Sequence, residues 1–167
     1  MGQGHRPLIG KARMKASLLY RVASGLLLLF TLGHMLGFQQ SDPAWGIGAL
    51  LESMQSSRFV VQGFTRTYWD FFLGTGFTVG VLYLFASILA WQLSGLPDAA
   101  RASMRATAWS FAACFVAITV LSARYLFWIP IVMSGVTAVC LTAAAWLSGR
   151  ATASGQREKG FSRAGVA

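Results

Sequence analysis

Two side chains in this 167-residue chain combine ionisable chemistry with an apolar setting: His34 in TLGHMLGF and Asp70 in TRTYWDFFLG. Arg66 and Tyr68 flank the start of the second apolar span, and Arg124 and Tyr125 close the third. Ionisable groups are costly in hydrocarbon, so these positions are functional candidates by default. An imidazole oriented by a carboxylate can carry a proton, and a guanidinium can steady developing negative charge. The catalytic candidates are therefore His34, Asp70 and Arg124. The ligand-binding candidates are His34, Asp70, Tyr68, Arg66, Arg124 and Tyr125. Asp70 also has a purely structural explanation, because Thr67 to Asp70 spells T-x-x-D at a helix start, the spacing of a capping box. There the Thr hydroxyl accepts from the N–H of residue 70 while the carboxylate reaches back to the N–H of residue 67. That explanation leaves out His34, which lies near a helix C-terminus, where a carboxylate partner would be welcome.

Other chemistries find less support. A metal site or bis-histidine haem needs more imidazoles than His34 supplies, and His5 lies in the N-terminal segment on the opposite side, so no metal and no cofactor is expected. No nucleophile elbow of the G-x-S-x-G type accompanies His34. A channel or transporter usually shows broken spans or polar residues through the membrane depth, and here the inner half is nearly all apolar.

The elements that must hold these groups follow from composition. Hydrophobic residues make up 55% and charged residues only 11%, whereas about a quarter of the residues in a soluble domain are charged. A helix crossing the hydrocarbon core needs about 20 mainly apolar residues. Residues 18–38, 68–93, 107–123 and 128–147 meet that length, and no stretch shows the period-two alternation of a membrane barrel strand. The expected fold is all-α, an integral membrane four-helix bundle occupying residues 1–148 as a single domain, followed by a basic, disordered cytoplasmic tail over 149–167. The six tryptophans agree with this, since Trp favours the headgroup level. Trp69, Trp91, Trp109, Trp128 and Trp146 stand at span ends, and Trp45 lies in the first loop.

Orientation follows from basic residues retained on the cytoplasmic side. Arg6, Lys11, Arg13, Lys15 and Arg21 precede or open the first span, Arg101 and Arg105 lie in the second loop, and Arg150, Arg157, Lys159 and Arg163 lie in the tail. The longer first loop carries only Arg58 and Arg66. Both termini are expected in the cytoplasm, in a bacterial inner membrane. The N-terminal apolar run is too long for a signal peptide and no small-x-small cleavage site follows it, so it reads as a retained helix. The formal charge of +9 is split among segments flanking spans, which points to anionic lipid and topology rather than nucleic acid.

Within the first loop, Asp42 and Pro43 make a helix start, and Ile47, Leu50, Leu51 and Met54 then recur on one face. This short amphipathic helix is expected along the outer interface, as a connector or as a lid. Gly33 and Gly37 bracket His34 at GxxxG spacing, and Gly76 and Gly80 repeat the spacing below Asp70, so two helices can approach closely there. Cys114 and Cys140 fall within spans at similar depth and read as small apolar packing residues.

TLGHMLG and RTYWDFFLGTGF resemble the signature segments of a family of small, uncharacterised bacterial membrane proteins with four predicted helices. The similarity covers residues 18–93 and implies an integral membrane fold without an assigned activity. A weaker likeness, of fold alone, is to the four-helix sterol isomerase and sigma-receptor-like group. Two functions are in view. One is a non-enzymatic bundle binding a lipid, a small amphiphile or a partner helix near its outer face. The other is a membrane enzyme doing acid/base chemistry on a lipid-soluble substrate with His34 and Asp70. Membrane lipids, a lipid-like small molecule and a second copy of the chain are the candidate partners.

The orientation is directly testable. Single cysteines placed at Gln40, Ser57, Ala99 and Ser154 should react with a membrane-impermeant maleimide in intact cells only at Gln40 and Ser57. Labelling at Ser154 in sealed cells would end the assignment of both termini to the cytoplasm.

Overall fold

The computed structural model describes the backbone of residues 6–164 and the side chains of residues 16–149 other than Asp98. In chain order the elements are α1 (Arg6–Gly37), a 3₁₀ turn (Pro43–Trp45), α2 (Gly48–Ser56), β1 (Arg58–Val61), β2 (Phe64–Thr67), α3 (Tyr68–Gly95), α4 (Asp98–Ser103), α5 (Arg105–Tyr125) and α6 (Trp128–Ala164). Four of the helices are long and apolar enough to cross a membrane, over Ala16–Gly37, Tyr68–Gly95, Arg105–Tyr125 and Trp128–Gly149. Each covers one of the stretches expected from composition. The chain is an integral, multi-pass membrane protein built on helices.

The differences lie at span ends and in loops. Asp42 does cap a helical start, accepting from the Ala44 N–H at 2.8 Å, but the start is a single 3₁₀ turn. Gly46, at φ 65°, ends it before α2 begins. The segment from Arg58 to Thr67 forms an antiparallel hairpin, which the sequence analysis did not anticipate. Its signal was legible: RFVV and FTRT are β-branched and aromatic runs joined by two residues. Those residues, Gln62 and Gly63, both have positive φ, 51° and 84°, the conformation of the tight turn whose twist matches paired strands. The helix α6 continues past Gly149 to Ala164, in a segment whose alanine, Gln, Arg, Glu and Lys are good helix formers. Residues 165–167 lie outside the described residues.

The chain divides into two compact units, one of residues 28–85 and one of residues 1–27 and 86–167. The buried apolar core belongs to the second. Ala16, Tyr20, Ala23 and Leu27 of α1, Ala90 and Leu93 of α3, Ala108, Phe111, Ala112 and Phe115 of α5, and Ala138, Leu141, Ala144 and Ala145 of α6 build it. The many alanines let backbones approach closely, the usual basis of helix association in lipid, where apolar burial alone supplies little drive. Cys140 is buried in this core and Cys114 is exposed, both as free thiols.

Several polar groups in this unit are satisfied locally. Ser24 Oγ donates to the Ser87 carbonyl at 2.9 Å and Ser87 Oγ donates to the Ser24 carbonyl at 2.9 Å, a reciprocal clamp between α1 and α3. Arg101, counted in the sequence as a topological charge, is only 6% exposed. Its guanidinium donates to the carbonyls of Leu93 (3.3 Å), Ser94 (3.3 Å) and Leu96 (2.8 Å). The last carbonyls of a helix have no partner within it, and a cation there also meets the negative end of the helix dipole. Arg101→Ala should therefore lower stability by about 2–3 kcal/mol, the cost of stranding buried carbonyls that had a charged donor. Thermal unfolding in detergent measures it, with the exposed Arg58→Ala as a control expected to change little. Equal losses for the two would show that Arg101 is not a structural cap.

Candidate functional site

The unit of residues 28–85 contains four of the candidate residues, His34, Arg66, Tyr68 and Asp70. Strand β2 runs into α3 without a break, so the hairpin and the helix are one continuous device. Cross-strand pairing sets Phe59 opposite Arg66 and Val61 opposite Phe64. The Phe59 ring meets Tyr68 at 5.0 Å and Phe71 at 5.8 Å between centroids, which fastens the hairpin to the first turn of α3. Tyr68 is thus a packing partner of the hairpin, 63% exposed on its other side.

At the junction the capping box forms as its spacing demanded. The Thr67 N–H donates to Asp70 Oδ2 at 2.8 Å and the Asp70 N–H donates to Thr67 Oγ1 at 3.1 Å. Two N–H groups that the helix cannot satisfy itself are paired, and the carboxylate stands at the positive end of the dipole. The chain's entry into α3 is fixed by these two bonds.

That geometry carries Arg66 to the head of a shallow groove of ≈ 380 Å³ along α3, lined by Arg66, Asp70, Phe71, Gly74, Thr75, Thr78 and Val79. Helical periodicity explains the lining below its head: 70, 74 and 78 step down one ridge of α3 and 71, 75 and 79 down the next, while Arg66 is placed by strand β2. Arg66 donates from Nη1 to the Thr65 carbonyl at 2.8 Å and lies 5.2 Å from the Phe64 ring. Thr78 turns its hydroxyl onto the Gly74 carbonyl at 2.8 Å, which leaves the Thr75 hydroxyl as the polar group facing the groove below its charged head. No Cβ-sized neighbour lies within 4 Å of Gly74; the missing side chain is what opens the groove.

His34 does something else. Its Nε2 lies 2.9 Å from the Gly76 carbonyl. A carbonyl can only accept, so Nε2 carries the proton and donates. The ring stacks between Phe30 (6.0 Å) and Phe38 (5.0 Å). Gly76 permits this approach, since a Cβ there would overlap the Phe38 ring, and a Cβ at Gly80 would overlap the Met35 sulfur. Of the two GxxxG pairs, only the one on α3 receives side chains, Met35 from α1 and Phe38 from the turn just after it; Gly33 and Gly37 have nothing within 4 Å. The anticipated pairing of His34 with Asp70 is not made. Gly76 lies about 9 Å further along α3 than Asp70, so the register of α1 on α3 sets the imidazole more than a turn away from the carboxylate.

Arg124 and Tyr125 belong to the unit of residues 1–27 and 86–167. There the Arg124 guanidinium lies 5.5 Å from the Tyr125 ring. Phe71, Gly74, Thr75, Thr78 and Val79 were missed by sequence reasoning. α3 is apolar on every side, and such a helix does not reveal from its sequence which face will be open. Among the described residues, no three His, Cys, Asp or Glu side chains gather where they could hold a metal ion. Comparison with protein-family models, curated proteins and solved structures returns no match, so the site's own geometry carries its interpretation.

Because His34 and Asp70 serve separate hydrogen bonds, their substitutions should be independent. The losses in unfolding temperature from His34→Ala and Asp70→Asn are expected to add in the double variant, as for sites that share no partner. Strong non-additivity in the same detergent would restore a direct pair.

Proposed function

We propose that this protein is a non-catalytic membrane bundle that binds a lipid or small amphiphile in the groove along α3. The observation that carries this reading is the groove's makeup. Its head bears one guanidinium and one carboxylate, and its length is lined by Phe71, Gly74, Thr75, Thr78 and Val79. That is the polarity profile of an amphiphile standing upright in a leaflet. Its volume lies within the range of ligand sites, about 300–1,000 Å³. A partner helix suits it less well, because a helix with side chains is about 10–12 Å across and would ride over such a groove rather than fill it. With both termini in the cytoplasm of a bacterial cell, the charged head would face the outer leaflet of the inner membrane, and α2 would lie along that interface.

Acid/base catalysis by His34 and Asp70 finds less support, since the imidazole proton is held by the Gly76 carbonyl and one carboxylate oxygen of Asp70 by the Thr67 N–H, so the two do not act on each other. Both groups have structural work that accounts for them.

A groove-filling variant tests the binding reading. The space beside Gly74 admits a larger side chain, and replacing a mid-helix glycine favours the helix, so Gly74→Leu should fold at least as well as the parent. Native mass spectrometry of the full chain purified in mild detergent should show it retaining one phospholipid fewer. Equal retention by parent and variant would rule out the groove as a lipid site.

A further inference from the structure

The two charges at the head of the groove have further consequences. Arg66 and Asp70 line the same end, and among the described residues no ion pair joins them. Arg66 uses one guanidinium nitrogen on the Thr65 carbonyl, and the rest of its donor fork remains. Asp70 uses Oδ2 on the Thr67 N–H, and Oδ1 has no hydrogen-bond partner among the described residues. In the lining itself one cation and one carboxylate share the same end, the complement of a zwitterion, with the Arg58 guanidinium also near enough to act on the Asp70 carboxylate.

We infer that the groove selects a phospholipid whose headgroup joins a phosphate to a primary ammonium, as in phosphoethanolamine. This rests on the lipid-binding reading above and narrows it to a headgroup class. The guanidinium fork matches the phosphate oxygens in geometry and charge. The primary ammonium brings N–H donors to Asp70 Oδ1. A quaternary ammonium, as in phosphocholine, has no N–H to donate and meets the carboxylate only as a diffuse charge. Phosphoglycerol has no cation, and offers Asp70 only neutral hydroxyl donors, while its phosphate stays uncompensated within the headgroup.

The rest of the groove fits the acyl part. From Asp70 to Thr78 it descends about 12 Å along α3, close to the roughly 15 Å of one leaflet's hydrocarbon. Gly74 leaves room for a chain at mid-length, and the Thr78 hydroxyl is already satisfied. The charged pair stands at the level of the helix start, where a headgroup would sit. Thr67, through the capping box, positions the carboxylate for both of its tasks.

The experiment uses the full chain reconstituted with an equimolar mixture of phosphoethanolamine, phosphocholine and phosphoglycerol lipids of identical acyl chains. Bound lipid is then read by native mass spectrometry after release. The parent should retain phosphoethanolamine about three- to fivefold over each of the others, the size expected of one solvent-accessible charge pair. Asp70→Asn, which keeps an oxygen to accept from Thr67, should bring phosphoethanolamine and phosphocholine to parity. Asp70→Glu, which keeps the charge, should preserve the preference, and Arg66→Gln should lower retention of all three. Thermal unfolding of each variant confirms that it is folded. Parity among headgroups in the parent, or a preference that survives Asp70→Asn, overturns the inference. If Gly74→Leu removes bound lipid while the parent shows parity, only the headgroup assignment fails. If Gly74→Leu changes nothing, the binding reading fails and the headgroup assignment goes with it.

Discussion

Inside a bilayer no water is at hand to complete a hydrogen bond, so backbone and hydroxyl groups in the spans are best satisfied by the protein itself. That constraint organises the molecule. Thr78, Thr119, Ser134, Thr137 and Ser148 each donate to a carbonyl one turn earlier in their own helix, a local solution that lets a hydroxyl sit at depth. Ser24 and Ser87 solve it across helices, and Arg101 solves it at the C-terminus of α3. Thr67 and Asp70 solve it at the N-terminus of the same helix. His34 belongs to this set as well, its ring proton placed on a carbonyl of α3.

Seen this way, the polar residues that first suggest chemistry divide by task. His34 and Asp70 keep backbone groups paired, Tyr68 packs on the hairpin, and Arg124 lies against the Tyr125 ring. The imidazole, flanked by Phe30 and Phe38 and bonded to Gly76, joins α1 to α3, and the glycine spacing on α3 makes that approach sterically allowed. The carboxylate begins a helix. In the unit of residues 28–85, one edge of the Asp70 carboxylate and most of the Arg66 fork are left over together at the head of an apolar groove. Function is sought there because those are charges the fold itself does not consume.

The hairpin shows how a modest element decides a site. Without it Arg66 would be a loop residue of no fixed position. Strand pairing, a tight turn at Gln62 and Gly63, and the contact of Phe59 with Tyr68 and Phe71 hold it four residues above Asp70 on a continuous path into α3. The groove's head is therefore set by strand register and its body by helical periodicity.

Much of this could be read from the sequence, because some constraints are local. Span number and extent follow from runs of apolar residues long enough to cross hydrocarbon, and the Thr67–Asp70 capping box follows from spacing alone, since both partners lie within one turn. The hairpin was equally local and was passed over because two short strands are faint beside four long spans. The fate of His34 was not local. Its partner depended on the register between α1 and α3, which is set by which glycines admit which side chains. In the sequence Gly33, Gly37, Gly76 and Gly80 are equivalent, yet only the pair on α3 receives Phe38 and Met35. The open face of α3 was hidden for the same reason. A helix apolar all round carries no periodic signal of what covers it, so only the tertiary arrangement could leave Gly74 and Thr78 uncovered beneath Arg66 and Asp70.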